Sequence, residues 1–408
     1  MTTTATVLVA VGLLGLLVAT LSARLRELPL SEPLLALAVG VVLGPAATGV
    51  VDLPAVTERS EEIHEIARVL LAISVMAVAL RYPVRDAWRV RGPVTLLLLV
   101  VMPLMALATA VVAWPLGLGL AAATVLGCAL CPTDPVLASS VVTGAPAERD
   151  LPARTRQVLS LESGANDGLA LPLVLVALVP FGVATGGEIG VEIVREVVGA
   201  LVLGVLAGWG AGRAIRSGER HGATDTAPVL VFTLVLALGV LGAAVLLDVG
   251  GVLAVFVAGL TLNATDPGSD RMDAVVLDEA INRFVLLPGF VVLGSVLPWE
   301  AWRDLGPALL VVVVGTLLLR RLPWVLLLRR PLRLTWRDAV FLGWFGPIGV
   351  SAVFYLALLA ERLPAADTTP VLAAGTAVVA ASTVVHGVSS SPGRRWYARV
   401  SRRAGEPG

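Results

Sequence analysis

Three acidic side chains lie inside long apolar stretches of this 408-residue chain: Asp134, Glu162 and Asp167. Nearly all the other acids can be placed in loops or at helix ends. A charge at the depth of a bilayer costs from about 2.5 to more than 10 kcal/mol, so an acid in that position is expected to serve a function. Carboxylates grouped with hydroxyl, amide and carbonyl oxygens suit a hard monovalent cation. A carboxylate can also bind a proton instead.

The first of these acids lies in the stretch GCALCPTDPVLASSVV, where Pro132 and Pro135 flank Thr133 and Asp134. Each proline removes a backbone donor and clashes with the carbonyl four residues earlier, so a helix through this stretch must break. The break frees carbonyls and points the N-terminus of a half-helix at the gap. Alternatively, Thr133 and Asp134 only cap the second half-helix. We favour a functional site because the carboxylate stands in the middle of a span.

The other two acids lie in the next apolar segment, QVLSLESGANDGLALPL. Glu162 and Asn166 are four residues apart, as are Ser163 and Asp167, so the four side chains line one strip about 100–140° wide on a helix. Such a strip is expected to face the broken helix rather than lipid. The alternative is a polar patch that only joins helices by hydrogen bonds. An amide and a serine would serve that purpose without two carboxylates.

A second interruption is predicted in GWFGPIGVSAVFY, where Gly346, Pro347 and Gly349 lie near the middle of a late span. A glycine and proline kink is weak evidence by itself. Its position gives it weight, because it falls in the fifth helix of the second half of the chain, as the first break does in the first half. Paired breaks in halves of opposite topology are typical of a transport site near the membrane midplane.

The elements that must position these residues are membrane helices. Hydrophobic residues make up 57% of the chain and charged residues 15%, whereas soluble globular proteins have roughly 45–50% and about 25%. We predict an all-α polytopic membrane protein of about thirteen spans, with two inverted six-helix repeats (about 5–181 and 228–389) on either side of a linker helix (191–212), and a short basic tail (390–408). The predicted spans are 5–23, 33–51, 65–80, 93–114, 118–143, 156–181, 191–212, 228–247, 250–263, 283–297, 305–323, 338–360 and 369–389.

Arginine placement predicts the orientation of these spans, because cytoplasmic loops carry the excess positive charge. All 30 basic residues are arginine, and 25 of them follow odd-numbered spans, including six from Arg320 to Arg337. We therefore predict an external N-terminus and a cytoplasmic C-terminus.

Composition also excludes several classes of protein. The 30 acids balance the 30 bases, so no net field would recruit nucleic acid, and we expect no nucleic-acid partner and no cofactor. Cys128 and Cys131 could form a soft-metal or redox pair, but two small core residues are the favoured interpretation. His64, His221 and His386 are expected in loops or at helix ends. A remote alternative is an intramembrane protease in which Asp134 and Asp167 form an aspartyl dyad.

The TDP of the fifth span together with E-S-x-x-N-D in the sixth resembles the monovalent cation:proton antiporter-1 family, the NhaP-type sodium/proton exchangers. The FGPIG stretch and STVVHG at 382–387 resemble its bacterial and fungal branch. The resemblance covers essentially the whole chain. It implies exchange of Na⁺, with Li⁺ or K⁺ as alternatives, for protons by alternating access in the cell membrane, and a homodimer.

The same resemblance implies roles for single residues. Asp167 would be the principal cation and proton carboxylate, Asp134, the Thr133 carbonyl and Ser163 its co-ligands, and Asn166 would shape the site and favour one proton per cation. Glu162 would be structural and paired, in relatives, with an arginine of a Gly-Leu-Arg-Gly motif.

The chain departs from the family pattern at that motif, because the segment from Gly346 to Gly349 holds no arginine. Glu162 is left with Arg283, Arg81 or a proton as its partner. A sodium-coupled solute symporter or an ion channel on the same architecture remains the nearest alternative function. The compact acidic site favours bare ions over organic substrates.

The predicted orientation can be tested with a cysteine in place of Arg402. Because the tail is expected in the cytoplasm, a membrane-impermeant thiol reagent added to intact cells should leave Arg402→Cys unlabelled and should label it after permeabilisation. Labelling in intact cells would overturn the topology.

Overall fold

The computed structural model describes residues 2–25, 28–53, 60–221, 226–265 and 284–403. These residues form helices joined by short connections, and no strand occurs among them, which confirms the all-α class. The helices are α1 Thr2–Leu25, α2 Glu32–Leu43, α3 Ser60–Arg81, α4 Val84–Leu96, α5 Met102–Val112, α6 Leu120–Ala129, α7 Pro135–Val142, α8 Gly144–Asp150, α9 Ala153–Leu169, α10 Leu171–Leu178, α11 Gly186–Arg220, α12 Thr226–Leu246, α13 Gly251–Thr265, α14 Leu287–Ser295, α15 Trp299–Leu319, α16 Leu322–Leu327, α17 Trp336–Trp344, α18 Val350–Arg362 and α19 Ala365–Arg403.

Several of these helices suit a bilayer by length and composition. Five helical stretches among the described residues are long and apolar enough to cross it, and shorter apolar helices lie between them. The long stretches are Ser60–Arg81, Val84–Leu116, Ala153–Phe181, Trp299–Leu327 and Ala365–Arg403. The protein is therefore a multi-pass membrane protein. The number thirteen and the inverted repeats stay predictions.

Both predicted helix breaks are present. The first separates α6 from α7, with residues 130–134 non-helical, and the second separates α17 from α18, with residues 345–349 non-helical. Prolines account for the first break, since Pro132 cannot donate to a helix and Pro135 suits the first turn of the next one. The two breaks touch, because the Asp134 amide donates to the Pro347 carbonyl at 2.9 Å.

Two of the arginines counted with the cytoplasmic loops are buried inside the protein. Arg320 and Arg321, counted above among the cytoplasmic arginines, are each only 2% exposed and lie inside the candidate span Trp299–Leu327, between α15 and α16. The helix is interrupted there, and both guanidinium groups find oxygen partners within the protein. The structure agrees with the predicted span 305–323, which includes both arginines, and corrects only their count among the loop arginines.

The last helix also differs from the prediction. Residues 390–403, predicted as part of a tail, continue α19 as helix, and Ser390, Ser391, Arg394 and Tyr397 are buried along it. The Tyr397 hydroxyl donates to Asp338 Oδ1 at 2.6 Å and Arg394 Nη1 donates to the Ser140 carbonyl at 2.8 Å. These bonds attach the helix to α17 and to the end of α7. Residues 404–408 lie outside the described residues.

Glycines let α11 and α13 approach at backbone contact. Gly204, Gly208 and Gly212 repeat every fourth residue, and a Cβ at Gly204 would lie 2.6 Å from the Ala254 carbonyl oxygen. A Cβ at Gly208 would overlap the Ala258 carbonyl oxygen. Small residues at this spacing are typical of closely packed membrane helices.

This packing predicts opposite effects for two glycines of one helix. Gly208→Ala should destabilise the protein by about 1–3 kcal/mol, because the methyl group forces the two backbones apart. Gly210 has no atom within 4 Å of a built Cβ. Gly210→Ala should therefore stabilise α11, by about 0.5–1 kcal/mol. The midpoint of thermal unfolding in detergent distinguishes the two variants. Equal midpoints would contradict the backbone contact between α11 and α13.

Candidate cation site at the crossing of two broken helices

Asp134 caps two half-helices at once. Its Oδ1 accepts hydrogen bonds from the amides of Val136 at 2.7 Å and Leu137 at 3.0 Å, the first turn of α7. Its Oδ2 accepts one from the Val350 amide, the first residue of α18. A helix N-terminus carries roughly half a positive charge, so two of them offset the carboxylate. The capping interpretation of Asp134 is thus present in the structure, extended to a second helix.

Arg320 plays the opposite role at the other ends. Its Nη1 donates to the carbonyls of Leu130 (2.7 Å), Cys131 (3.0 Å) and Pro132 (3.1 Å), which follow α6. Its Nη2 donates to the Gly346 carbonyl, which follows α17. A helix C-terminus carries roughly half a negative charge. One buried arginine therefore satisfies the carbonyls that both breaks set free.

Glu162 has a partner that sequence analysis did not consider. Arg321 donates to Glu162 through Nη1 at 2.8 Å and Nη2 at 3.0 Å, and its Nε donates to the Leu342 carbonyl at 2.9 Å. The two side chains are 3% and 1% exposed. Of the expected partners, Arg81 donates to the Ser160 hydroxyl at 2.9 Å, and Arg283 lies outside the described residues. The fork of two parallel bonds fixes α9 against the α15–α16 junction.

Thr133 and Asn166 join the same network. Asn166 Nδ2 donates to Thr133 Oγ1 at 2.7 Å and to Glu162 Oε1 at 3.0 Å, while its Oδ1 accepts from the Thr133 amide at 3.2 Å. Thr133 Oγ1 lies 3.3 Å from Glu162 Oε2, to which it donates. The polar strip of α9 therefore faces the first break, as predicted.

Asp167 is the exception in this crowded region. Its side chain is fully buried, and neither carboxylate oxygen has a hydrogen-bond partner among the described residues. Asp134 and Glu162 are the nearby acids, and the Ser351 hydroxyl faces the carboxylate with a geometry that falls short of a hydrogen bond. A buried carboxylate without a partner is costly, so this position calls for a ligand.

The other predicted ligands differ from Asp167 in having partners. Ser163 Oγ donates to the Ser160 carbonyl at 3.1 Å, and the side chains of Asp134, Thr133 and Asn166 make the bonds given above. No group of three or more His, Cys, Asp or Glu side chains gathers into a metal-binding cluster within the described ranges. Cys128 and Cys131 are both free thiols and buried.

The second break is held by α19. The Ile348 amide donates to Ser382 Oγ at 2.7 Å, and His386 Nε2 lies 3.0 Å from the Trp344 carbonyl, to which it must donate. His386 is 5% exposed and lies within α19, so the expectation that it lies in a loop or at a helix end was wrong. The STVVHG motif binds the backbone on both sides of the break.

Sequence analysis missed Arg320, Arg321, Ser351 and Ser382 as site residues. One signal could have found the arginines, because they stand as an adjacent pair between two apolar stretches, VVVVGTLLL and LPWVLLL. A loop of that composition would be short and flanked by apolar residues on both sides.

The Glu162 pair yields a stability prediction. Arg321→Leu should destabilise the protein by about 3–5 kcal/mol, because the Glu162 carboxylate would stay buried without its counter-charge. Adding Glu162→Gln should recover part of the loss. The exposed Arg330→Leu is the matched control, expected within about 0.5 kcal/mol of the parent. Thermal unfolding in detergent would refute the pairing if Arg321→Leu and Arg330→Leu unfolded alike.

Comparisons with known proteins identify the family to which the chain is similar. The family described as "Sodium/hydrogen exchanger, transmembrane" matches residues 12–395. The chain is 34% identical to Na(+)/H(+) antiporter 2 of Zygosaccharomyces rouxii, over 81% of this chain and 42% of that one. It is 29% identical to the Na(+)/H(+) antiporter of Schizosaccharomyces pombe, over 84% of this chain and 76% of that one. It thus spans less than half the length of the first relative.

The fold is similar to that of the sodium proton antiporter MjNhaP1 from Methanocaldococcus jannaschii, with a TM-score of 0.74 at 20% identity, covering 95% of this chain and 99% of that one. The resemblance inferred from the TDP and ESxxND motifs is confirmed. The family match over nearly the whole length establishes that this chain belongs to the sodium/hydrogen exchanger family.

Proposed function

We propose that the protein is a secondary active transporter that exchanges a monovalent cation for protons by alternating access. The observation that carries the proposal is the Asp167 carboxylate, which is fully buried and has no hydrogen-bond partner among the described residues. The names of the relatives, which are sodium/proton antiporters, support it.

The charges around Asp167 support one exchangeable ion. Glu162 is neutralised by Arg321, Asp134 by two helix N-termini, and Arg320 by two helix C-termini. Asp167 is left with a negative charge that no neighbouring group compensates. A proton or a cation would compensate it, and both cannot bind together.

This competition couples the two fluxes. If only the neutralised site crosses between the two access states, each cation that leaves is replaced by a proton. No ATP is needed, and the exchange is electroneutral with one proton per cation. Na⁺ is the proposed cation, and Li⁺ and K⁺ are the alternatives.

The rival functions fit the geometry less well. An aspartyl protease needs two carboxylates sharing a proton, but both oxygens of Asp134 accept backbone hydrogen bonds. A symporter for an organic solute needs room for the solute at the binding residues themselves, whereas Asp167 and Ser351 are completely buried and line no described cavity.

The remaining parts of the proposal rest on the family pattern. The co-ligands of the cation are Asp134, the Thr133 carbonyl, Ser163 and Asn166, supplemented by the Ser351 hydroxyl, which faces Asp167 without a hydrogen bond of its own. The protein works as a homodimer in the cell membrane, with its N-terminus outside and two inverted repeats.

Reconstitution into liposomes that contain a pH-sensitive dye tests the function. An inward Na⁺ gradient should alkalinise the lumen, because protons leave as Na⁺ enters, and clamping the voltage should leave the rate unchanged. Asp167→Asn should abolish the signal, because a neutral amide cannot alternate between proton and cation. Asp304→Asn, an exposed acid on α15, is the matched control and should retain exchange.

Normal exchange by Asp167→Asn would remove Asp167 as the carrier. A signal that follows voltage and needs no proton flux would instead favour the channel. Parallel gradients of Li⁺ and K⁺ rank the cations.

A further inference from the structure

A cavity of about 180 Å³ reaches Gly168, the residue next to Asp167. Its inner end includes Gly168 and Tyr355, and Leu253 of α13 lies against them. Its outer part includes Glu192, Glu196, Asp248 and Arg362. We refer to this space as the vestibule. Asp167 itself does not line it, although the next residue does.

Ion pairs occupy the outer part of the vestibule. Arg362 pairs with Glu192 at 3.0 Å, and Arg195 pairs with Asp248 at 2.6 Å. The Glu196 carboxylate makes no hydrogen bond or ion pair within the described part of the chain, so the vestibule carries one acid without a bonded partner. Such a wall favours the approach of a cation.

The inner end is closed by one aromatic side chain. Tyr355 is 1% exposed, and its hydroxyl donates to the main-chain carbonyl of Asp167. It therefore bridges α18 to α9 at the residue that bears the unpartnered carboxylate. On the opposite wall Gly168 lets α13 approach so closely that a Cβ would lie 2.6 Å from the Leu253 Cβ.

The position of Tyr355 on α18 connects the closure to the site. Ser351, which faces Asp167, lies four residues earlier on the same helix, one turn deeper. Leu171, on the other side of the closure, lines the vestibule. Along α18, the order from the vestibule inward is Leu358, Tyr355 and Ser351, and of these three only Ser351 does not line the cavity.

We propose that Tyr355 is the gate between the vestibule and Asp167. The hydrogen bond from the Tyr355 hydroxyl to the Asp167 carbonyl keeps the cation site closed on this side. Tyr355 positions α18 against α9 and separates the cation site from the vestibule, and it does not bind the cation. The inference rests on the proposed function, but the closure can be measured without transport.

The test uses cysteine accessibility. Cys128 and Cys131 are replaced by alanine, and a single cysteine is placed at Leu171, in the vestibule, or at Ser351, beyond the gate. A small cationic methanethiosulfonate is applied to right-side-out and to inverted vesicles. The side from which Leu171→Cys reacts identifies the side of the vestibule.

Removing the Tyr355 side chain should make a cysteine at position 351 more accessible, but not a cysteine at position 171. From the vestibule side, Tyr355→Ala should speed modification of Ser351→Cys about tenfold, which corresponds to an opening free energy lowered by about 1.4 kcal/mol. Tyr355→Phe, which loses only the hydrogen bond, should give a smaller increase. The rate at Leu171→Cys should stay within about twofold in both variants.

Phe354→Ala is the matched control, since Phe354 lines the same vestibule and packs on both His64 and Tyr355, with ring centroids 4.7 Å and 4.9 Å apart, but makes no hydrogen bond to Asp167. It should leave the Ser351→Cys rate unchanged. If Tyr355→Ala does not fold, Tyr355→Leu carries the same test.

An unchanged Ser351→Cys rate in the Tyr355 variants, or equal increases in the Phe354 control, would overturn the gate. A Ser351→Cys rate that already equals the Leu171→Cys rate with Tyr355 intact would do the same. Loss of exchange by the parent protein would instead count against the proposed function alone.

Discussion

The need to satisfy broken backbone in an apolar interior organises this structure. Two interrupted helices meet, and each break frees amides on one side and carbonyls on the other, which lipid cannot satisfy. One carboxylate, Asp134, takes the amides of both N-termini, and one guanidinium, Arg320, takes the carbonyls of both C-termini. The crossing therefore contains two opposite full charges, each matched to backbone dipoles rather than to the other.

This arrangement gives different partners to three acids that look alike in the sequence. Asp134 is part of the backbone capping, and Glu162 is part of an ion pair that joins α9 to the α15–α16 junction. Asp167, one residue past Asn166 on the same helix, has neither kind of partner. Rigid, satisfied neighbours can hold one unsatisfied group in place, as expected where a site is to bind and release an ion.

Local chemistry in the sequence predicted the breaks and the polar strip, because proline and the i,i+4 spacing act within one or two turns. The choice of Asp167 as the central carboxylate came from the family resemblance and stays a prediction. Sequence analysis did not predict the two buried arginines as site residues because their partners lie far along the chain. Glu162 is 159 residues from Arg321, and Leu130 is 190 residues from Arg320. Counting arginine as a loop residue fails where the carbonyls of a broken helix accept its donors. The buried position of His386 was missed for the same reason, since its partner Trp344 lies in another helix.

Arg320 and Arg321 are neighbours in the chain, yet one holds the carbonyls of both breaks and the other holds Glu162 on α9. Two adjacent residues thus tie two half-helices, α6 and α17, and the helix that bears Asp167 to one junction. Under the proposed alternating access, a displacement of Asp167 would carry the ends of α6 and α17 with it as one body, because both are bonded to the same pair of arginines as α9.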